Sequence, residues 1–94
     1  MIVQFVWDPE KARRNLAKHD VPFELAQAVW DDPLHVILPD RFEDGEQRWH
    51  AIGVVAAVVL LVVHTYPDDE ESVRIIGTRK ATRGERNRYE QEGA

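Results

Sequence analysis

The chain has no cysteine, which rules out a disulfide framework and any thiolate metal site. Long hydrophobic runs are also missing. The longest, Ile52 to Val63, has 12 residues, whereas a membrane-spanning helix needs about 20; the run therefore reads as core, and no membrane role is expected. The first residues, MIVQFVWDPE, carry no basic stretch ahead of an apolar one, so they do not read as a signal peptide and a cytoplasmic location is expected. No Gly-rich phosphate loop appears, no two histidines sit at H-x-x-x-H spacing, and acidic residues do not cluster at metal-ligand spacing on one element. Neither a metal nor a cofactor is expected.

What is present is ordinary for a small globular fold: 94 residues, 44% hydrophobic and 31% charged. That length suits one domain, taken here as residues 1–94. The net charge of −5 runs against a nucleic-acid partner, but the charge is segregated. Residues 31–46 hold six acidic side chains against Arg41, a net of −5, and residues 72–89 hold six basic ones against Glu85, a net of +5. A local field, rather than the total, decides whether a phosphate backbone docks.

Ile2 to Trp7 reads as a first strand, ended by Asp8-Pro9. Asp8 suits an N-cap and Pro9 the first helical position, opening a helix to about His19. Its inward stripe is Ala12, Asn15, Leu16 and His19. A second helix is expected over Pro22 to Trp30, halted by Asp31-Asp32-Pro33. A short strand, Val36 to Leu38, leads to a polar turn over Pro39 to Glu46, with Asp44-Gly45 at the reversal. Gln47 to Val54 and Val58 to Thr65 read as paired strands. Only Val55-Ala56-Ala57 remains for their turn, and it holds none of the usual turn residues. Val73 to Thr78 is a last strand. Thr82-Arg83-Gly84-Glu85 is a capping box opening a third helix to about Gln91, polar almost all round. The order β-α-α-β-β-β-β-α gives an α+β fold, a small and mainly antiparallel sheet covered by helices. Trp7, Leu16, Phe23, Trp30, Ile52, Leu61 and Ile75 are its expected core.

Several residues suit chemistry on a phosphodiester. His64 ends the most apolar strand, where an imidazole is either a hydrogen-bonded core group or a catalytic one. His19 reads as structural, His50 lies mid-strand among candidate site residues, and His35 carries no functional argument. Arg48 is either a phosphate clamp or an ion-pair partner of Glu46, two residues back on its face. Arg79 precedes the last helix, which carries Arg86 and Tyr89 three apart on one face, together a platform for phosphate and base. Arg83 and Arg88 read as solvated. Lys18, Arg74, Lys80 and Arg83 are the remaining cations for contacts along RNA.

The set Trp7-Asp8-Pro9, Lys11, Asn15, Lys18-His19, Val21, Phe23, Asp31-Asp32-Pro33, Glu46, Arg48, Ile52-Gly53, Leu60 to Thr65, Arg74 to Ile76, Arg79, Ala81-Thr82, Glu85-Arg86 and Tyr89 resembles the BrnT family of type II toxin–antitoxin toxins. The resemblance spans residues 5–89; it departs at the turn near Ala56, which lacks the Gly and Arg often found there, and in the overall acidity. It implies a RelE-like ribonuclease fold, RNA cleavage that halts translation, and a cognate antitoxin, expected to be a ribbon-helix-helix protein through which the complex meets operator DNA. In that frame Arg48, His64, Arg79, Arg86 and Tyr89 are the expected catalytic set, with Arg48 and Arg79 on the scissile phosphate, and cleavage needs no metal. Two other functions fit the same residues: a catalytically silent RelE-like module acting through a partner or operator complex, and a generic interaction domain docking by its polar helix.

Overall fold

A computed structural model describes residues 4–67 and 71–93. The chain runs β1 (Gln4–Val6), α1 (Pro9–His19), α2 (Phe23–Ala26) with a 3₁₀ turn (Gln27–Asp31), β2 (Val36–Glu43), β3 (Glu46–Val55), β4 (Val58–Thr65), β5 (Ser72–Lys80) and α3 (Arg83–Gly93). The five strands form one sheet in the order β1-β5-β4-β3-β2. The sheet is mixed, because β1 runs parallel to β5 while every other pair is antiparallel. Among the described residues no helix is long and apolar enough to cross a membrane.

Local chemistry accounts for the element ends. The Asp8 carboxylate accepts the Glu10 N–H at 2.9 Å, with Pro9 in the first turn of α1. The expected second helix splits. After one α-helical turn the backbone tightens to 3₁₀ winding, which places residues three apart in line; Phe23, Ala26 and Val29 are all fully buried along that line. Val29 then lies so close to β3 that a Cβ at Gly53 would sit 3.0 Å from its Cγ1. β2 extends well past the expected Leu38, because Pro39 lies on the sheet's edge strand, where a missing N–H breaks no inner ladder.

The β3–β4 hairpin turns on Ala56 and Ala57 alone, both in the left-handed region at φ +50° and +68°. That is the backbone of a type I′ turn, which most often carries Asn-Gly. Pairing of Val55 with Val58 and of Trp49 with His64 fixes the two faces of the sheet. Ala51 and Val55, with Leu60 and Val62, join Val21, Phe23, Ala26, Val29, Val73 and Ile75 in the main core under α1 and α2. By alternation Ile52 and Leu61 point the other way, yet both are buried. On that side α3 packs against β2 and β3.

Phe23, Ile52, Leu61 and Ile75 are buried as expected, while Trp7 and Trp30 are half-buried at the core's margin. Leu16 is a correction: it is 44% exposed. The rotation of α1 is set instead by Asn15, whose amide acts as a substitute strand. Its Nδ2 donates to the carbonyls of Thr78 (2.9 Å) and Val21 (3.2 Å), and its Oδ1 accepts the Thr78 N–H at 3.2 Å. Among the described residues β1 pairs with residues 72–74 of β5, so this side chain serves strand backbone further along β5.

The hairpin turn yields a stability test. A left-handed alanine costs about 1 kcal/mol or more relative to glycine. The double change Ala56→Asn, Ala57→Gly is expected to stabilise by about 1 kcal/mol, a rise in Tm of roughly 4 to 8 °C for a domain of this size. A thermal melt checks it, and a lower Tm would contradict the turn.

Candidate functional site

Two constellations sit on the α3 side of the sheet, at opposite ends of the strands. The first anchors α3. Thr82 and Glu85 form the capping box reciprocally, Glu85 N–H to Thr82 Oγ1 (3.2 Å) and Thr82 N–H to Glu85 Oε1 (2.9 Å). Arg79, the second-last residue of β5, grips the same carboxylate in bidentate fashion at 2.7 and 3.0 Å. This arginine holds the Glu85 carboxyl down at about 2, and the carboxylate in turn raises the Arg79 guanidinium. At the far end of α3 the Tyr89 hydroxyl donates to Asp32 Oδ2 at 2.6 Å. Asp32 also accepts the Val54 and Leu34 N–H groups. Its partial burial opposes the charge, but these three hydrogen bonds outweigh it and hold the carboxyl below its ordinary value. The same bond pushes the Tyr89 hydroxyl up to about 12, so near neutral pH this group retains its proton. Arg86 is exposed and donates to the Ala81 carbonyl.

The second constellation lies on the open part of that face, beyond α3. Arg48 reaches Glu43 on β2 at 3.0 Å, and Arg74 on β5 binds Glu46 on β3. The expected Glu46–Arg48 pair does not form; Arg48 takes a carboxylate from the neighbouring strand β2, and Arg74 reaches across β4 to one on β3. His50, two residues along from Arg48, places Nε2 3.2 Å from Asp40 Oδ2. His50 and Arg48 are part-shielded, with the Arg48 side chain 18% exposed.

Arg48 and Arg79 are not brought together. Arg79 stands in register with Leu61 and Ile52, four residues from Arg48 along β3. That is roughly 13 Å along the strand and two strand spacings of about 4.8 Å across. One phosphate does not bridge them in this arrangement. Arg74, read from sequence as a peripheral cation, is the arginine that shares a cross-strand neighbourhood with Arg48. Lys18, Lys80 and Arg83 are exposed, at the end of α1, the end of β5 and the start of α3. Asp40 and Glu43 were not legible as site residues, because they fell in a segment that reads as a polar turn. Among the described residues no three histidine, aspartate or glutamate side chains converge as metal ligands.

His64 lies in the core. It is 0% exposed, packed edge-on to Trp30 and Tyr66 at ring separations of 5.0 and 5.2 Å. Nδ1 lies 3.2 Å from the Val62 carbonyl and Nε2 3.2 Å from the Tyr66 hydroxyl. The neutral tautomer satisfies both, with Nδ1–H donating and Nε2 accepting. The ring faces the α1/α2 core, on the opposite side of the sheet from Arg48 and Arg74, so it cannot reach a phosphate held by those arginines. Burial pushes its pKa down from 6.5 to about 4, opposed by the Val62 bond and aided by His50.

Proton linkage gives this burial a measurable signature. Above pH 6.5 the imidazole is neutral both folded and unfolded. Between 6.5 and 4 the unfolded chain binds a proton that the folded chain refuses, so stability falls as pH falls. The expected slope approaches about 1.4 kcal/mol per pH unit. Denaturant titrations at pH 7.0 and 5.0 check it, since the Arg79–Glu85 pair is lost only on further acidification, between about 4.5 and 2. His64→Gln is expected to flatten the slope; an unchanged slope would place the protonation elsewhere.

Comparison with curated proteins finds no match for this chain. A family model described as the ribonuclease toxin BrnT of type II toxin–antitoxin systems matches residues 7–85. The matched stretch runs from Trp7, beside the core, to Glu85, the carboxylate that caps α3 and holds Arg79. It takes in strands β2 to β5 and begins just after β1, and the chain thus belongs to the BrnT family of type II toxin–antitoxin ribonuclease toxins.

Proposed function

We propose that this protein is a toxin that cleaves RNA without a metal ion, by attack of a 2′-hydroxyl on the adjacent phosphorus, and so halts translation in the cytoplasm. The observation that carries this reading is the pair Arg48 and Arg74 on the open sheet face, within a family of ribonuclease toxins. Two guanidiniums on strands that flank β4 match the donors that a phosphodiester and its more highly charged transition state require. Each is held by a carboxylate that a phosphate oxygen can replace. Lys18, Lys80 and Arg83 lie outside this face and serve at most to attract the rest of an RNA chain. Arg79 and Tyr89 act by holding α3 on the sheet, and Arg86 by tying its first turn to Ala81.

The fold is read as RelE-like, and the silencing partner as a ribbon-helix-helix antitoxin that also carries the complex to operator DNA. One observation favours the competing reading, a catalytically silent module. Every arginine of the two constellations that faces the sheet is already paired with a carboxylate, which weakens attraction to RNA. The two readings part on a cleavage assay.

Purified protein is expected to cut RNA in EDTA and leave a 2′,3′-cyclic phosphate on the upstream fragment. Arg48→Ala is expected to lower the rate at least about 10²-fold, the scale of losing one transition-state donor, and Arg83→Ala to change it little. Expression alone is expected to arrest growth, with relief by the cognate antitoxin. Loss of cleavage in EDTA would overturn the metal-free route, and absence of cleavage by folded protein would favour the silent module.

A further inference from the structure

The open face holds one group that neither constellation explains. Thr65, the last residue of β4, is 1% exposed, and its Oγ1 has no hydrogen-bond partner among the described residues. The other buried threonine hydroxyl described nearby, on Thr78, donates to the Leu61 carbonyl at 3.0 Å. Buried hydroxyls are nearly always satisfied, so an orphan one calls for a partner that the described residues do not supply.

Its position says what. Thr65 pairs with Arg74, and one step beyond the Trp49–His64 pair it stands beside Arg48. Arg48, Thr65 and Arg74 therefore form one cross-strand row on the open face, with the hydroxyl between two guanidiniums. His50 is the diagonal neighbour of Thr65, roughly 7 to 8 Å away at the backbone and within side-chain reach. Its Nε2 is committed to Asp40, which puts the ring proton on that nitrogen and leaves Nδ1 as the acceptor.

We infer that Arg48, Thr65 and Arg74 form the seat for the scissile phosphate of RNA, and that His50, oriented by Asp40, is the base acting beside it. The inference rests on the ribonuclease reading and adds the residues that carry it. Phosphate oxygens replace Glu43 on Arg48 and Glu46 on Arg74, and as those ion pairs open one oxygen reaches the buried Thr65 hydroxyl and accepts its hydrogen bond. His50 Nδ1 takes the proton of the 2′-hydroxyl as that oxygen bonds to phosphorus. The bond from phosphorus to the 5′-oxygen breaks, and the 5′-oxygen leaves with a proton from water. The products are a 2′,3′-cyclic phosphate and a 5′-hydroxyl, and His50 returns its proton to solvent.

The test uses the full-length protein with a short RNA and its 2′-O-methyl counterpart, which binds but has no proton to give. Thr65→Val is expected to weaken binding of the methylated strand about tenfold, the scale of one lost hydrogen bond to a charged group. Its Tm is expected to stay level or rise, since it removes an orphan hydroxyl without changing shape. Glu46→Gln, which frees Arg74, is expected to tighten binding. His50→Gln is expected to slow cleavage 10²- to 10⁴-fold while binding the methylated strand within about twofold of wild type. Thr65→Val binding unchanged, or His50→Gln cleaving at the wild-type rate, overturns the inference even where the wild type is an active ribonuclease. A wild type that binds through Thr65 but cleaves nothing keeps the seat, overturns the role of His50 and removes the ribonuclease reading with it.

Discussion

Two alanines in the left-handed conformation set the register on which the other arrangements rest. With Ala56 and Ala57 as the whole turn, Val55 must face Val58 and every pair back to Trp49 and His64 follows. Because side chains alternate, a slip of one residue would exchange the faces of one strand relative to the other. If β4 turned over, His64 would leave the core and Leu61 would enter it; if β3 did, Ile52 would enter it and Arg48 with His50 would be driven under α1 and α2. The buried imidazole, the apolar patch beneath α3 and the charged open face are three results of one pairing. Gly53 enforces it from the other side, since only a residue without Cβ fits against Val29.

Charge on the open face is balanced rather than basic. Arg41 and Arg48 meet Glu43, Arg74 meets Glu46, and His50 meets Asp40. Partly exposed pairs of this kind add little stability, so their effect is mainly geometric. They hold long, mobile side chains in one orientation at the cost of weakening attraction to an anion. The acidic segment 31–46 thus has a defined place: its aspartates and glutamates include the counter-ions of the basic groups on β3 and β5, along with the Asp32 hub under α3.

What was legible in the sequence follows the range of the interactions involved. The Asp8-Pro9 helix start, the Asp44-Gly45 reversal and the Thr82–Glu85 capping box depend on neighbours a few residues apart, and all three occur as read. The two central strands were legible from their apolar pattern even though their turn residues argue against a tight reversal; the strength of the ladder overrides the local preference of alanine. Leu16 was misplaced because helical spacing alone does not reveal that Asn15 would bond a strand 63 residues away. Ion-pair partners were illegible for a similar reason, as Glu46 lies nearer Arg48 in sequence but meets Arg74 in space. His64 shows the limit most clearly: a histidine closing an apolar strand reads equally as core or catalyst until the face it occupies is known.

The sheet's two margins carry a consequence for assembly. On one side β1 spans three of the described residues, Gln4–Val6, and beyond it the Asn15 amide occupies the backbone of Thr78. On the other, β2 carries Pro39, an irregular register between Pro39 and Phe42, and the charges of Asp40, Arg41 and Glu43. Short edges, proline, irregularity and charge are the devices that stop one sheet from extending into another. Among the described residues a second chain finds no long, regular row of free N–H and C=O groups to zip onto, which works against copies of this protein growing into ribbons and steers an incoming polypeptide towards side chains instead of backbone.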